Sequence, residues 1–255
     1  MTKPPISRFP APKLAGLPDD IRERIAVVQE KSGFVPNVFL ALARRPDEFR
    51  AFFAYHDALM EKPGGLTKAE REMIVVATSG VNQCQYCVVA HGAILRIRAK
   101  NPFVADQVAI NHRKADLAPR QKAMLDFAVK VAERSHAIED ADYEALKTHG
   151  FSDEDSWDIA AIAAMFAMSN RLANAFSIRP NDEFYAMGRE SRADPQERGP
   201  CIQPASARST LNPIDRSRSS SPPRARNWTP VGRPAASVPD GRARPHIRNR
   251  LPRNV

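Results

Sequence analysis

Residues 65–92, "GLTKAEREMIVVATSGVNQCQYCVVAHG", decide the fold, because they read as two helices separated by a break and gather two glutamates, two cysteines and a histidine. Thr67-Lys68-Ala69-Glu70 has the spacing of a capping box, and Met73, Ile74 and Ala77 follow on one stripe. The Gly80 to Asn82 stretch breaks that helix. A second helix then carries Cys84 in or just before its first turn and Cys87 one turn in, with Asn82 placed to cap that turn.

Helical signals continue on both sides. Pro18-Asp19-Asp20 opens a helix with Ile21, Ile25 and Val28 at helical spacing and acidic residues at its positive end, and Gly33 stops it. Further helices begin at Pro36 and at Pro46-Asp47, the latter with Phe49, Phe52, Phe53 and Leu59 on one face. Pro119 starts a long helix carrying Met124, Leu125, Ala128 and Val131, and Ser152 caps another that runs through Trp157, Ile162, Phe166 and Ala173. No convincing period-two alternation or Asn-Gly hairpin signal lies among them, so the fold class is all-α. Leu66, Met73 and Ile74 recur at the same spacing as Leu117, Met124 and Leu125, which suggests two similar helical hairpins packed face to face.

Charge divides the chain in two. Residues 1–190 hold 25 Lys and Arg against 25 Asp and Glu, whereas 191–255 hold 13 Arg, no Lys and four acidic residues, so the whole net charge of +9 lies in the tail. That tail also has 11 of the 22 prolines and clusters such as "RSRSSSPPRAR". It is expected to be disordered, and the abrupt change in composition also resembles translation past a normal end near Arg189. It has Trp228 but no interleaved aromatics to stack bases, so nucleic acid is not an expected partner. The longest apolar run, Ile159 to Met168, is half of what a membrane helix needs, and the prolines in "MTKPPISRFPAPKL" interrupt the apolar core that a signal peptide requires. Three cysteines make no disulfide scaffold, and the expected location is the cytoplasm.

Cys84 and Cys87 are helical neighbours whose sulfurs can close into a disulfide with little rearrangement. His91, four residues beyond Cys87, stacks on the same face. Free amides at a helix start and a nearby imidazole can lower a thiol pKa from about 8.5 into a range of roughly 3.5 to 7.5. A thiolate of this kind attacks peroxides, becomes a sulfenic acid and is captured by its neighbour. Structural zinc would need a fourth ligand, but Cys201 lies in the tail and His112, His136 and His149 have no ligand spacing. Covalent haem attachment would need the histidine directly after the second cysteine. Two inert buried thiols are the remaining alternative. Glu72, taken alone, reads as a solvated helix residue, and Trp157, Met165 and Phe166 read as core, with a hydrophobic substrate pocket as the alternative.

The opening stretch resembles the core of the alkylhydroperoxidase D (AhpD) and carboxymuconolactone decarboxylase superfamily. It is most similar to the branch of uncharacterised peroxidase-related proteins, in which an Asn precedes the first cysteine by two residues, a Tyr precedes the second, and the chain ends in a phrase like "NRLANAFSIRPNDEFYAMGR", here Asn170 to Arg189. The resemblance spans residues 6 to 189, and implies a helical AhpD-like domain over 1–189 followed by the disordered tail, 190–255.

It also implies a thiol-dependent peroxidase. In that reading Cys87 is the peroxidatic cysteine, Cys84 is the proton donor and resolving partner, and Glu72 with His91 forms the proton relay. No cofactor or metal is expected. The implied partners are a hydroperoxide, a dithiol or thioredoxin-like electron donor, and further copies of the chain in a trimer or hexamer. The alternatives are a protein thiol-disulfide oxidoreductase and a non-catalytic redox-sensing oligomer. Tyr86 stands where well-studied members have a second histidine, and a phenol with a pKa of about 10 is a poor base. Its expected consequence is weaker activity. The decarboxylase branch lacks the cysteine pair, so decarboxylation is not expected.

Overall fold

Prolines, acidic residues and hydroxyl caps mark where the helices begin. In the computed structural model, which describes residues 4–189, α1 (Asp19–Ser32) follows Pro18 and ends on Gly33, whose φ of 82° is the left-handed conformation that glycine adopts at low cost. Next come α2 (Asn37–Leu42), α3 (Pro46–Met60), α4 (Lys68–Val81), α5 (Gln85–Ala99) and α6 (Val104–Asn111). The rest are α7 (Pro119–Arg134), α8 (Asp140–Thr148), α9 (Asp153–Ala175) and the single turn α10 (Glu183–Ala186). The described residues hold no strand. The all-α expectation holds, although the sequence reading had passed over α6 and α8. The expected disordered tail, 190–255, lies outside the described residues.

The capping box forms as expected: the Thr67 hydroxyl accepts from the Glu70 amide, and the Glu70 carboxylate accepts from the Thr67 amide. Ser152 and Asp155 repeat the arrangement at the start of α9. α4 is the centre of the fold and packs on α5, α6, α7 and α9. Ile74, Val75 and Val76 are fully buried, each worth roughly 1.5–3 kcal/mol. Met73 and Ile74 share one core with Met124 and Leu125 of α7, so the two similar segments do face one another. Gly80 lets α4 approach α6 closely, since a Cβ there would sit 2.6 Å from the Ala109 carbonyl oxygen.

Glu70, Arg71 and Glu72 are three consecutive charged residues of α4, and all three are buried. Burial of a charge requires a partner, and each has one. Glu70 accepts from Arg120 of α7. Arg71, 1% exposed, donates to the Leu59 carbonyl at 2.7 Å and to Asp158 of α9 at 3.3 Å. Glu72 turns to the opposite side, toward α5. The expectation of a solvated Glu72 is therefore corrected: at 2% exposure it is a core residue held by specific ions.

The two ends of the described segment are tied together. Backbone bonds run from Arg8 to Phe176 and from Arg179 to Ile6, and buried Arg96 of α5 donates to the carbonyls of Phe184 and Met187. That anchor lays residues 184–188 along α5.

Candidate active site

α4 and α5 meet at a tight elbow. Asn82 ends α4, Gln83 takes a positive φ of 53°, and Cys84 occupies the N-cap of α5, its amide bonded to the Ser79 carbonyl at 2.9 Å. Asn82 does not cap α5, as the sequence suggested. It closes α4 instead, and its amide donates to Asn170 of α9 at 3.0 Å, while Asn170 donates to Ser79 at 2.9 Å. Asn170 is fully buried and lies against both thiols. A neutral amide network of this kind fixes the elbow without adding charge.

Both cysteines are free thiols, Cys84 fully buried and Cys87 2% exposed. They differ sharply in electrostatics. The hydrogen bond from Cys87, helped by the Cys87 amide, Asn170 and the nearby His91, outweighs burial and brings the Cys84 thiol down to about 7. The same contact, together with burial, pushes Cys87 well above its ordinary value. The helix start thus favours thiolate at the N-cap sulfur, and Cys87 is the S–H that donates to it. Ser169 lies beyond, its hydroxyl 4.0 Å from the Cys87 sulfur.

His91 projects from α5 one turn past Cys87. Its Nδ1 is 2.8 Å from Glu72 Oε2, so with the carboxylate ionised Nδ1–H donates and the Nε2 lone pair is left facing outward. Arg98 holds the other Glu72 oxygen at 2.9 Å and reaches Glu61 at 3.0 Å. The Phe166 ring packs edge-on against the imidazole, with centroids 4.8 Å apart. Among the described residues, no direct hydrogen bond joins His91 to either sulfur, so its influence on the pair is through charge.

A cavity of about 750 Å³ opens onto this constellation. Cys87, His91, Glu72, Tyr86, Phe166 and Ser169 line it, whereas Cys84 lies behind the wall. Its surface is mostly apolar, supplied by valines of α1, phenylalanines of α3 and the anchored C-terminal segment. Phe166 therefore serves the cavity as well as the core, Met165 is core alone, and Trp157 is 72% exposed on the outer face, against the expectation of burial. Tyr86 is buried, and its hydroxyl accepts from the Val38 amide at 3.3 Å. Burial raises its pKa further, which removes it from proton transfer.

Sequence reasoning missed Asn170, Ser169, Arg98 and His56. Asn170 and Ser169 come from α9, far away in the chain, and no local spacing marks them. Arg98 follows Glu72 on the next helix and was legible only as a surface cation. No group of three His, Cys, Asp or Glu side chains among the described residues is arranged to hold a metal ion. No helix of those residues is long and apolar enough to cross a membrane.

The sequence profile of the Carboxymuconolactone decarboxylase family matches residues 46–102, which hold the Glu72, Cys84, Cys87 and His91 constellation. No curated protein matches the chain. Among solved structures, an alkylhydroperoxidase AhpD core, an uncharacterized peroxidase-related protein from Ralstonia eutropha JMP134, is 70% identical; the match covers 74% of this chain and all of that one, with a TM-score of 0.74. An uncharacterized peroxidase-related protein from Silicibacter sp. TM1040 is 43% identical over 74% of this chain and all of its own, with a TM-score of 0.70. The debrominase Bmp8 shares the fold, at 19% identity over 71% of this chain and 95% of its own and a TM-score of 0.59. Similarity of this degree over 74% of the chain, joined to the elbow and its cysteine pair, places the chain in the AhpD-like, peroxidase-related branch of the carboxymuconolactone decarboxylase superfamily.

Proposed function

We propose that the protein is a thiol-dependent peroxidase that reduces organic hydroperoxides through Cys87 and Cys84. One observation carries this reading: the Cys87 sulfur forms part of the wall of a largely apolar cavity, with the Cys84 sulfur hydrogen-bonded directly behind it. A substrate in the cavity meets Cys87 first.

The steps follow from that order. The Cys87 proton passes to the Cys84 thiolate, and the Cys87 thiolate attacks the distal oxygen of the hydroperoxide. A sulfur–oxygen bond forms and the O–O bond breaks; the hydroperoxide's own proton leaves on the alcohol, and the Cys87 sulfenate takes the proton held on Cys84. Cys84 then displaces the oxygen of the Cys87 sulfenic acid, forming the disulfide and releasing water. The Glu72–His91 pair, which faces the cavity beside Cys87, gives a proton to the departing hydroxide. An external dithiol supplies two electrons and two protons to restore both thiols.

The position of Cys87 inside a cavity, at 2% exposure, favours a small substrate over a folded protein partner as oxidant, which sets this reading above a general protein thiol-disulfide oxidoreductase. The test is titration with stoichiometric tert-butyl hydroperoxide. Wild type should lose two thiols rapidly, Cys87→Ser none, and Cys84→Ser should accumulate a trappable sulfenic acid. Equal, slow loss in wild type and Cys87→Ser would refute the proposal.

A further inference from the structure

A second imidazole faces the same cavity. His56 belongs to α3, and its ring centroid lies 6.5 Å from that of His91 and 6.2 Å from Phe166. Its Nδ1 is 3.1 Å from Asp57 Oδ1, and Asp57 is in turn held by Arg24 of α1 at 2.8 and 3.0 Å. This is the arrangement found around His91 in another set of residues. Arg98, Glu72 and His91 form one chain of guanidinium, carboxylate and imidazole, and Arg24, Asp57 and His56 form the other. In each, the carboxylate can only accept, so it fixes the proton on Nδ1 and leaves Nε2 without a hydrogen-bond partner among the described residues.

A histidine that served packing alone would need neither the carboxylate nor the guanidinium behind it. Burial, then the neighbouring His91, lowers the His56 pKa, so the ring is neutral near pH 7 and its Nε2 is an acceptor. Two imidazoles this close do not both carry charge readily, and the arrangement divides acid–base labour between them. Tyr86, locked on the Val38 amide, leaves that second task open.

We propose that His56 is a catalytic proton shuttle for the hydroperoxide, distinct from the Glu72–His91 pair that serves the thiols. As the Cys87 thiolate attacks the distal oxygen, His56 Nε2 accepts the proton on that oxygen and delivers it to the departing alkoxide oxygen. Sulfur is oxidised by two electrons and the O–O bond is reduced. The products are a Cys87 sulfenate and a neutral alcohol, and the sulfenate then takes the proton stored on Cys84. His56 ends as it began. The proposal rests on the peroxidase reading above.

The test compares wild type, His56→Gln and Asp57→Asn in single-turnover oxidation by tert-butyl hydroperoxide, with iodoacetamide alkylation of the same thiols as a second readout. Alkylation needs the thiolate but no proton delivered to a leaving alkoxide. His56→Gln should slow the peroxide reaction by about 10²-fold while alkylation stays within threefold. Asp57→Asn should produce a smaller loss of the same kind. Wild type and His56→Gln should both lose peroxide rate as pH falls through about 7 and the Cys84 thiolate protonates, and wild type alone should lose more at lower pH as His56 protonates, with Asp57, Arg24 of α1, Glu72 of α4 and His91 and Cys87 of α5 facing the same site.

An unchanged peroxide rate in His56→Gln overturns the shuttle and leaves the peroxidase reading standing. Parallel loss of both reactions also overturns it, since it shows a structural role. A wild type inert to the hydroperoxide removes both readings together.

Discussion

Replacing Glu72 by Gln tests the proton relay with the least change of shape. The carboxylate is 3% exposed and makes two charge-assisted bonds, at 2.8 Å to His91 Nδ1 and 2.9 Å to Arg98. A glutamine can satisfy only one of them. With its oxygen on Arg98, its NH₂ meets His91 Nδ1, which must then accept, and the ring switches to the tautomer with hydrogen on Nε2. The outward lone pair is lost. With its oxygen on His91, its NH₂ opposes the Arg98 guanidinium. Either way one bond to a charged group disappears, worth about 1.5–3 kcal/mol, and the imidazolium loses its counter-ion. That energy corresponds to roughly 10- to 150-fold in rate, and loss of a working acid–base group to about 10²–10⁴. The expected outcome is a fall of at least about 10²-fold in single-turnover disulfide formation. Arg98 retains Glu61, so the protein should remain folded. Rapid mixing with one equivalent of tert-butyl hydroperoxide, followed by free-thiol quantification from pH 5 to pH 9, measures it. A folded Glu72→Gln variant reacting within threefold of wild type across that range would show that the Glu72–His91 pair does not carry the proton.

Other outcomes follow from the same geometry. Alkylation, which reaches the pair at Cys87, should rise with pH through about 7 as Cys84 ionises and can take up the Cys87 proton, and the dependence should move upward in Cys84→Ser, where burial holds the remaining thiol up. Because the folded pKa of Cys84 is depressed, its thiolate adds stability to the reduced fold as pH rises from about 7 toward the ordinary thiol range, above which the raised Cys87 offsets it; a set of thermal melts over pH checks the sign. Tyr86→Phe removes one 3.3 Å bond to the Val38 amide, so it should cost about 0.5–1.5 kcal/mol in denaturant unfolding and leave the peroxide rate within threefold of wild type. Arg71→Met strands Asp158 in the core against Lys62 alone, which should cost about 3–5 kcal/mol and lower Tm by on the order of 10 °C.

The fold was legible because its signals are local. Pro18, Pro46, Pro119, Thr67 and Ser152 start helices through their own backbone and side-chain chemistry, and Gly33 stops one, so a linear reading finds them. The short α6 and α8 lack such strong punctuation. Within the site, Cys84, Cys87 and His91 share one helix and their spacing was enough to join them. Glu72 could be assigned to them only by family resemblance, because its 2.8 Å contact to His91 crosses from one helix to another. His56 and Asn170 are beyond a linear reading for the same reason. Each sits on a different helix from the cysteines, and only the packing of α9 on α5 and of α3 on α9 brings it to them. Charge assignment between the sulfurs was likewise hidden, since it depends on which thiol donates to the other.

That assignment bears on the return half of any redox cycle at the pair. In thiol-disulfide exchange, the sulfur that departs most readily is the one whose thiolate is best stabilised. Here that is Cys84: the Cys87 S–H that most favours its thiolate in the reduced pair is absent from the disulfide, but the Cys87 amide, Asn170 and His91 still favour it. An incoming reductant reaches Cys87 from the cavity, and Cys84 is the leaving group already supplied with hydrogen-bond donors. Access and leaving-group quality therefore select the same sulfur for attack. A mixed disulfide between the reductant and Cys87 is the intermediate this geometry favours, and the buried position of Cys84 keeps the alternative adduct from forming.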